Sequence, residues 1–388
     1  MKAILSSTAC FSLLLLPATG STLRCQETKT DSKPETKPAA EARPQRSAPV
    51  ISPDIGADGS VTFRLRAPQA KEVKVTGQFG PEAAMAKGEN GVWAVTVPSV
   101  PAGVHEYRFI VDGLTVMDPQ NSAIKPQRWP NTSILHVPSS PPALWDLQDV
   151  PHGTLHEHTY KSKALDKWRR ITVYTPPGAE SAGPLPVLYL AHGFSDNEGT
   201  WTVHGKAHCI LDALIAEKKA VPMLIAMPDA HALPPGPGYR DDYSRANTEA
   251  FCRELTEDVI PLVERSYKVA ARPESRAFAG LSMGGHHALT VALNHSATFE
   301  WVGAFSSAPP PTEMVAGGLS SPDKVNSSLK LFWIACGNKD FLFRRNNEFT
   351  ALLKEKGIRH EYSVTDGDDH SWPVWRRYLA GLAPRIFR

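Results

Sequence analysis

The pentapeptide Gly280-Leu281-Ser282-Met283-Gly284 constrains this chain more than any other stretch. A short run, Arg276-Ala277-Phe278-Ala279, precedes it and reads as a strand; Gly285 and a helix-compatible segment through Ala292 follow. The spacing G-x-S-x-G between a strand and a helix has a steric origin. The serine sits on a sharp strand-to-helix turn, and glycines two residues to either side let neighbouring backbone pass without a Cβ clash. Such a turn lifts the Ser282 hydroxyl above the sheet. It also aims the Met283 N–H, with the positive end of the following helix, at the place where an oxyanion would form. On its own, the same pattern also describes a glycine-rich connection with a solvated serine, so partners elsewhere in the chain decide.

A serine hydroxyl needs a base to take its proton and a carboxylate to orient that base. In the α/β-hydrolase order the nucleophile comes first, then the acid, then the histidine. Downstream of Ser282 the apolar run LFWIACG ends in Gly337-Asn338-Lys339-Asp340, and the strand-like EYSVT runs into Asp366-Gly367-Asp368-Asp369-His370. Asp340, in its own strand-end loop, is the expected acid and His370 the expected base. Asp366, Asp368 and Asp369 lie too near His370 in sequence to orient it, and Asp323 falls in an expected surface loop. A second oxyanion donor is expected at the end of the first central strand. There His192-Gly193-Phe194 makes a turn, so the Phe194 N–H is paired with that of Met283 and His192 is given a structural role. Phe194, Trp201, Leu281 and Trp372 are the apolar residues beside these motifs that are expected to contact substrate.

Strands are expected at 170–174, 187–191, 223–227, 276–279, 302–306, 329–335 and 361–365, with helices near 205–218, 247–265, 284–294, 344–356 and 373–380. Continuous apolar strands such as VLYLA and LFWIA are those buried on both faces of a parallel sheet, and the alternation of elements over residues 152–388 predicts a doubly wound α/β domain. In such sheets the site lies beyond the carboxyl ends of the strands, which is where Asp340 and His370 fall. Residues 50–138 differ. VTFRLRAP, KEVKVTG, VWAVTVP and HEYRFIVDG alternate apolar and polar residues between Pro/Gly turns, which predicts a small all-β, immunoglobulin-like sandwich. Residues 139–151 (SSPPALWDLQDVP) form an expected proline-rich, semi-rigid linker.

The first 20 residues read as a signal peptide, with Lys2, the apolar run Ala9–Leu16 and small residues at Ala18-Thr19-Gly20. Residues 21–49 lack large apolar side chains and read as a disordered tether. A secreted or periplasmic protein is expected, with no membrane span, because no segment reaches about 18 apolar residues. Arg24 stands where a lipoprotein signal wants a small residue before Cys25. The net charge of +2 gives no reason to expect nucleic acid as a partner. Neither metal nor cofactor is expected: His152, His156 and His158 lack zinc-type spacing, and Gly205-Lys206 is followed by Ala207, not the Ser or Thr of a phosphate-binding loop. His286 and His287 are expected in packing and surface roles, the DGDD run as solvated, and Cys209–Cys252 as the candidate disulfide of an oxidising compartment.

Two resemblances sharpen these expectations. Residues 50–138 resemble the family-48 carbohydrate-binding module through Val61-Thr62-Phe63-Arg64, Ala67-Pro68, Gly91-Val92-Trp93, Tyr107 to Gly113 and Asp118-Pro119. Trp93 and Tyr107 are expected in the sandwich core, whereas Trp129, in the loop KPQRWPNTS, is expected to be exposed. RRITVYTPPG, LYLAHGFSDNEGTW, LIAMPDA, GLSMGG, CGNKDFLF and DDHSWPVWRRYL resemble the carbohydrate esterase family 1 feruloyl esterases and acetylxylan esterases, within an esterase-D-like superfamily that includes enterochelin esterases. That resemblance implies Ser282 as nucleophile, Asp340 as acid and His370 as base, and feruloylated or acetylated xylan of the plant cell wall as partner. The proline-rich loop 231–242 departs from the family pattern and is expected to shape the acyl pocket. The expected activity is ferulate release from arabinoxylan through an acyl-enzyme. Acetylxylan hydrolysis, siderophore trilactone hydrolysis and an inert glycan-binding protein are the alternatives.

Overall fold

The computed structural model describes residues 49–234 and 242–388. The expected signal peptide, nearly all of the expected tether, and most of the proline-rich loop lie outside the described residues. Two β-sheets open the described chain. Strands Asp54–Ile55, Val61–Arg66, Val92–Val97 and Ala86–Lys87 form one; Gly80–Ala84, Val73–Gly77, Gly103–Val111 and Leu114–Val116 form the other, with Ser133–Val137 added against Gly103–Val111. Alternation sets the packing: Val61, Phe63 and Leu65 point inward while Thr62, Arg64 and Arg66 face outward, as period-2 side-chain geometry requires. Trp93 and Tyr107 lie in that core, and Trp129 is 48% exposed, each as expected. Residues 139–151 are docked: Asp146 accepts hydrogen bonds from the Ser139 and Ala143 N–H groups and pairs with His136, and Trp145 lies against the Arg376 guanidinium.

The α/β domain is built on eight strands: β1 (Thr154–Ser162), β2 (Lys167–Thr175), β3 (Val187–Ala191), β4 (Leu224–Pro228), β5 (Arg276–Leu281), β6 (Trp301–Phe305), β7 (Leu331–Gly337) and β8 (Glu361–Thr365). Their spatial order is β1-β2-β4-β3-β5-β6-β7-β8. β1 and β2 are antiparallel, β2 is antiparallel to β4, and the remaining pairs are parallel. Every residue of β3, β4, β6 and β7 is buried, the condition their apolar runs predict. Helices α1 (Ala207–Ala216) and α5 (Trp372–Leu382) cover one face; α2 (Arg245–Glu254), α3 (Met283–Asn294) and α4 (Phe343–Glu355) cover the other.

Four expectations need correction. β1 is missing from the expected strand set because, as an edge strand with an exposed face, it carries only a weak apolar signal. The helix expected over 247–265 runs from Arg245 to Ser266 but is interrupted by a π turn, Leu255–Val259. Glu254, at its start, meets Arg169 and Tyr160, and Asp258, within it, caps the β1–β2 hairpin through Ser162, Lys163 and Ala164. Cys209 and Cys252 are both buried and unpaired. They sit on α1 and α2, on opposite faces of the sheet, so no disulfide geometry joins them. His286 and His287 are both buried; neither is a surface residue.

Candidate active site

Strand β5 delivers Ser282 at its carboxyl end, and α3 begins at the next residue. Ser282 has φ 52° and ψ −107°, a backbone conformation that L side chains rarely adopt and that costs of order 1–3 kcal/mol. Three hydrogen bonds hold it: its N–H donates to the Phe305 carbonyl at 2.9 Å, and its carbonyl accepts from the N–H groups of His286 at 2.9 Å and Ala308 at 3.2 Å. The flanking glycines are there for space. A Cβ on Gly280 would lie 2.4 Å from Gly284 backbone, and one on Gly284 would lie 2.5 Å from the Ala191 carbonyl. Neither contact is with a flexible side-chain end that could move aside.

Asp340 follows β7 and His370 follows β8, and the two loops are laced together. Lys339 N–H donates to the Asp368 carbonyl at 2.9 Å and Asn338 N–H to the Thr365 carbonyl at 2.9 Å, while the Asn338 side chain bridges Asp366 and the Gly367 N–H. Gly337 passes so close that a Cβ would sit 2.1 Å from the Asp368 carbonyl oxygen. This lacing brings His370 Nδ1 to 2.8 Å from Asp340 Oδ2, while Asp340 Oδ1 accepts from the Leu342 N–H at 2.8 Å. Burial raises the pKa of the Asp340 carboxyl, but the bond to His370 and the backbone donor outweigh it, so the net direction is downward. The imidazole is clamped between two rings, Phe341 at 4.5 Å and Trp375 at 4.9 Å between centroids. Asp366, Asp368 and Asp369 bond elsewhere, to Asn338, Arg377 and Ser371.

Ser282 and His370 open onto one cleft of about 340 Å³. Phe194, Leu281 and Trp372 line it, but Trp201 does not. Trp201 is buried behind Trp372, ring centroids 5.1 Å apart, and its indole N–H donates to the Ala191 carbonyl at 3.0 Å. It supports the cleft floor and cannot touch substrate there. Tyr243, Phe341 and Trp375 also face the cleft and are absent from the expected site. Adjacency to Asp340 was a usable signal for Phe341; Tyr243 lies beside the proline-rich loop and gave none. Tyr243 lines the cleft together with Ser282, and burial raises the pKa of its phenol. A second, more apolar chamber of about 310 Å³ shares Tyr243, Ser282 and Phe341 and continues past Ala308, Pro309, Pro311 and Leu342.

The far wall of the cleft comes from the sandwich: Gln78, Glu106 and Lys125. Lys125 Nζ lies 3.1 Å from Glu106 and 3.4 Å from Asp196, all three largely shielded from solvent. Residues 126–128 lie along the loop that follows Phe194: the Thr200 hydroxyl donates to the Pro126 carbonyl at 2.6 Å and the Arg128 N–H to the Ser195 carbonyl at 2.8 Å. His192, at the start of that loop, has the structural place expected of it. Its Nε2 accepts from the Ala230 N–H at 2.8 Å, which puts the proton on Nδ1, bonded to the Gly193 carbonyl at 2.8 Å. Below it, Arg169 grips Glu254 with two bonds (2.8 and 3.0 Å) and Asp229 with a third, fixing the β4 end on which His192 rests.

Comparison with known proteins agrees with this architecture. Residues 162–386 match the family described as "Putative esterase", and residues 50–126 match carbohydrate-binding module 48, the isoamylase N-terminal domain. An endo-1,4-beta-xylanase/feruloyl esterase of Xylanibacter ruminicola is 29% identical over 353 residues, 87% of this chain; the chain spans 46% of that relative's length. The structure of a CE1 ferulic acid esterase from Anaeromyces mucronatus superposes with a TM-score of 0.53 at 26% identity, covering 62% of this chain and 93% of that one. An enterobactin esterase from Shigella flexneri shares the fold at a TM-score of 0.56 and 20% identity, over 83% of this chain and 92% of its own. With the elbow, the strand order and the family match all falling in one domain, the chain belongs to this esterase family, carboxylic ester hydrolases of α/β-hydrolase fold, here preceded by a family-48-type sandwich.

Proposed function

We propose that the protein is an exported serine esterase that releases hydroxycinnamoyl groups, chiefly ferulate, from plant cell-wall arabinoxylan. The observation that carries this reading is the single cleft. Ser282, the Asp340-bound His370, an aromatic rim and polar groups of a carbohydrate-module-like sandwich all face it. Ser282 attacks the ester carbonyl and His370 takes its proton, with Asp340 holding the imidazole in the tautomer that can accept at Nε2. Tetrahedral negative charge forms where the N–H groups of Met283, at the head of α3, and Phe194 are assigned to receive it. His370 then returns the proton to the departing sugar oxygen, and a water activated by the same histidine discharges the acyl-enzyme.

The two chambers favour an aromatic acyl group over acetyl, since an acetyl group would leave most of the apolar chamber unfilled. The names of the Xylanibacter relative and the Anaeromyces structure support ferulate as the acyl group and xylan as its carrier. Export rests on the amino-terminal sequence alone, and detection of the mature amino terminus in a culture or periplasmic fraction tests it. Destarched cereal bran treated with wild type or Ser282→Ala is the test of function. Ferulate is released by the first only, with the variant still folded. Strong acetyl release without ferulate would replace this reading by acetylxylan hydrolysis.

A further inference from the structure

One residue of the sandwich reaches behind the catalytic cleft. Arg128 lies between strands Leu114–Val116 and Ser133–Val137, and it holds the hydrolase domain at three points. Its backbone N–H donates to the Ser195 carbonyl at 2.8 Å. Its guanidinium meets the Asp242 carboxylate end-on, Nη1 at 3.2 Å from Oδ2 and Nη2 at 3.1 Å from Oδ1. Nη2 also donates to the Leu233 carbonyl at 3.2 Å. Ser195 follows Phe194, and Tyr243 follows Asp242. Those two neighbours are themselves a pair, their rings stacked with centroids 6.3 Å apart and planes 20° from parallel. Phe194 and Tyr243 both wall the cleft, and Tyr243 also lines the apolar chamber beside it.

We propose that Arg128 is a positioning residue for catalysis, acting from the sandwich by fixing the Phe194–Tyr243 pair on which an aromatic acyl group is seated. This rests on the esterase reading and adds a job for the sandwich besides any hold on glycan. Asp242 is buried, and its other side-chain partner is His231, Nδ1 at 2.9 Å, whose pKa burial pushes down to about 4. Burial pushes the Asp242 carboxyl up, but the His231 bond first and then the Arg128 guanidinium hold it below its usual range, so Arg128 is the sandwich's share of what keeps this carboxylate ionised in place. Asn247 also ties Leu233 to Asp242, but through backbone groups: its Oδ1 accepts from the Leu233 N–H and its Nδ2 donates to the Asp242 carbonyl, each at 2.9 Å. Loss of Arg128 therefore leaves the chain path closed while freeing the Asp242 side chain, and with it the orientation of Tyr243.

The test uses the full-length protein with methyl ferulate and 4-nitrophenyl acetate, comparing wild type, Arg128→Ala, Arg128→Lys, Tyr243→Ala and the double variant Arg128→Ala/Tyr243→Ala. Arg128→Ala is expected to lower kcat/KM on methyl ferulate by about tenfold or more, the weight of a charge-assisted contact, mainly through KM. On 4-nitrophenyl acetate, whose acyl group does not reach the ring pair, the change stays within about threefold. Lysine restores the charge but not the two-pronged bond and falls between. In the Tyr243→Ala background, loss of Arg128 adds little, because the two act as one unit. The proposal is overturned by multiplicative losses in the double variant, by equal losses on both esters accompanied by a lower melting temperature, or by no loss on methyl ferulate. A wild-type protein inert on both esters overturns the esterase reading itself.

Discussion

Replacing Asp340 by asparagine tests the catalytic assignment most directly, because the structure dictates how the new side chain sits. Asp340 Oδ1 accepts from the Leu342 N–H and Oδ2 from His370 Nδ1, both at 2.8 Å. An asparagine must keep its oxygen on Leu342, since turning its NH2 there would set donor against donor in a buried place. The amide NH2 then faces His370 Nδ1, which becomes an acceptor, and the ring proton moves to Nε2. An imidazole protonated at Nε2 cannot take the Ser282 proton, and the same wrong-tautomer defect in another triad enzyme cuts kcat by about 10⁴-fold. At about 1.36 kcal/mol per tenfold, that is roughly 5 kcal/mol of lost transition-state stabilisation. The assay is release of 4-nitrophenol from 4-nitrophenyl acetate, with Asp366→Asn as control, a carboxylate of the His370 loop that bonds Asn338 instead. A loss under tenfold in Asp340→Asn, or an equal loss in the control, refutes the assignment. A stability signature accompanies it. The folded pKa of Asp340 is lowered, so its ionised form stabilises the fold above the usual carboxylate range and that gain is lost as pH falls through the lower folded value. The gap in melting temperature between wild type and Asp340→Asn therefore narrows below about pH 4.

Ser282→Gly relieves the positive φ at the elbow, worth of order 1–3 kcal/mol, against about 0.5–1 kcal/mol of added unfolded-chain freedom. An inactive protein with a higher melting temperature is expected, and a lower one contradicts the strain. Lys125→Met leaves Glu106 and Asp196 without their shared cation, a loss of about 3–5 kcal/mol for a broken buried ion pair. Urea melts should show that loss, and Lys125→Met/Glu106→Gln/Asp196→Asn should recover most of it; no recovery refutes the charge argument. Four buried histidines are held neutral by burial, His231 and His286 with pKa values pushed down to about 4 and His204 and His287 well below the usual imidazole range. The unfolded chain binds protons at these side chains from about pH 6.5 downward. Stability should thus fall with decreasing pH, by up to about 1.4 kcal/mol per pH unit for each; urea midpoints that stay flat from pH 7.5 to 5.5 exclude this.

Local order was legible wherever a single segment carried its own reason. VTFRLR alternates and became a strand with one face buried; LFWIACG is apolar throughout and became a strand buried on both faces. Gly280 and Gly284 are needed because backbone passes within 2.5 Å of where their Cβ atoms would be, so a pentapeptide was enough to place the elbow. Asp340 and His370 followed from strand-end logic, and the 2.8 Å bond between them fits the residues chosen. Trp201 failed as a substrate contact for the opposite reason. Nearness in sequence to the His192-Gly193-Phe194 turn says nothing about which side of Trp372 an indole occupies, and the Cys209–Cys252 pairing failed because helix positions do not reveal which face of the sheet each helix covers.

Amino-acid order alone thus determined the elements, the layer architecture and the candidate residues for ester chemistry, because periodicity and turn sterics act within a few residues. Tertiary structure decided who shares the cleft. Gln78, Glu106, Lys125 and Arg128 belong to the sandwich, and Tyr243 to a loop without a motif, yet all meet around or behind Ser282. Such contacts join residues far apart along the chain, 114 positions for Arg128 and Asp242, and the ion pairs that cross from one domain to the other exist only once the sandwich and the hydrolase sheet have packed together.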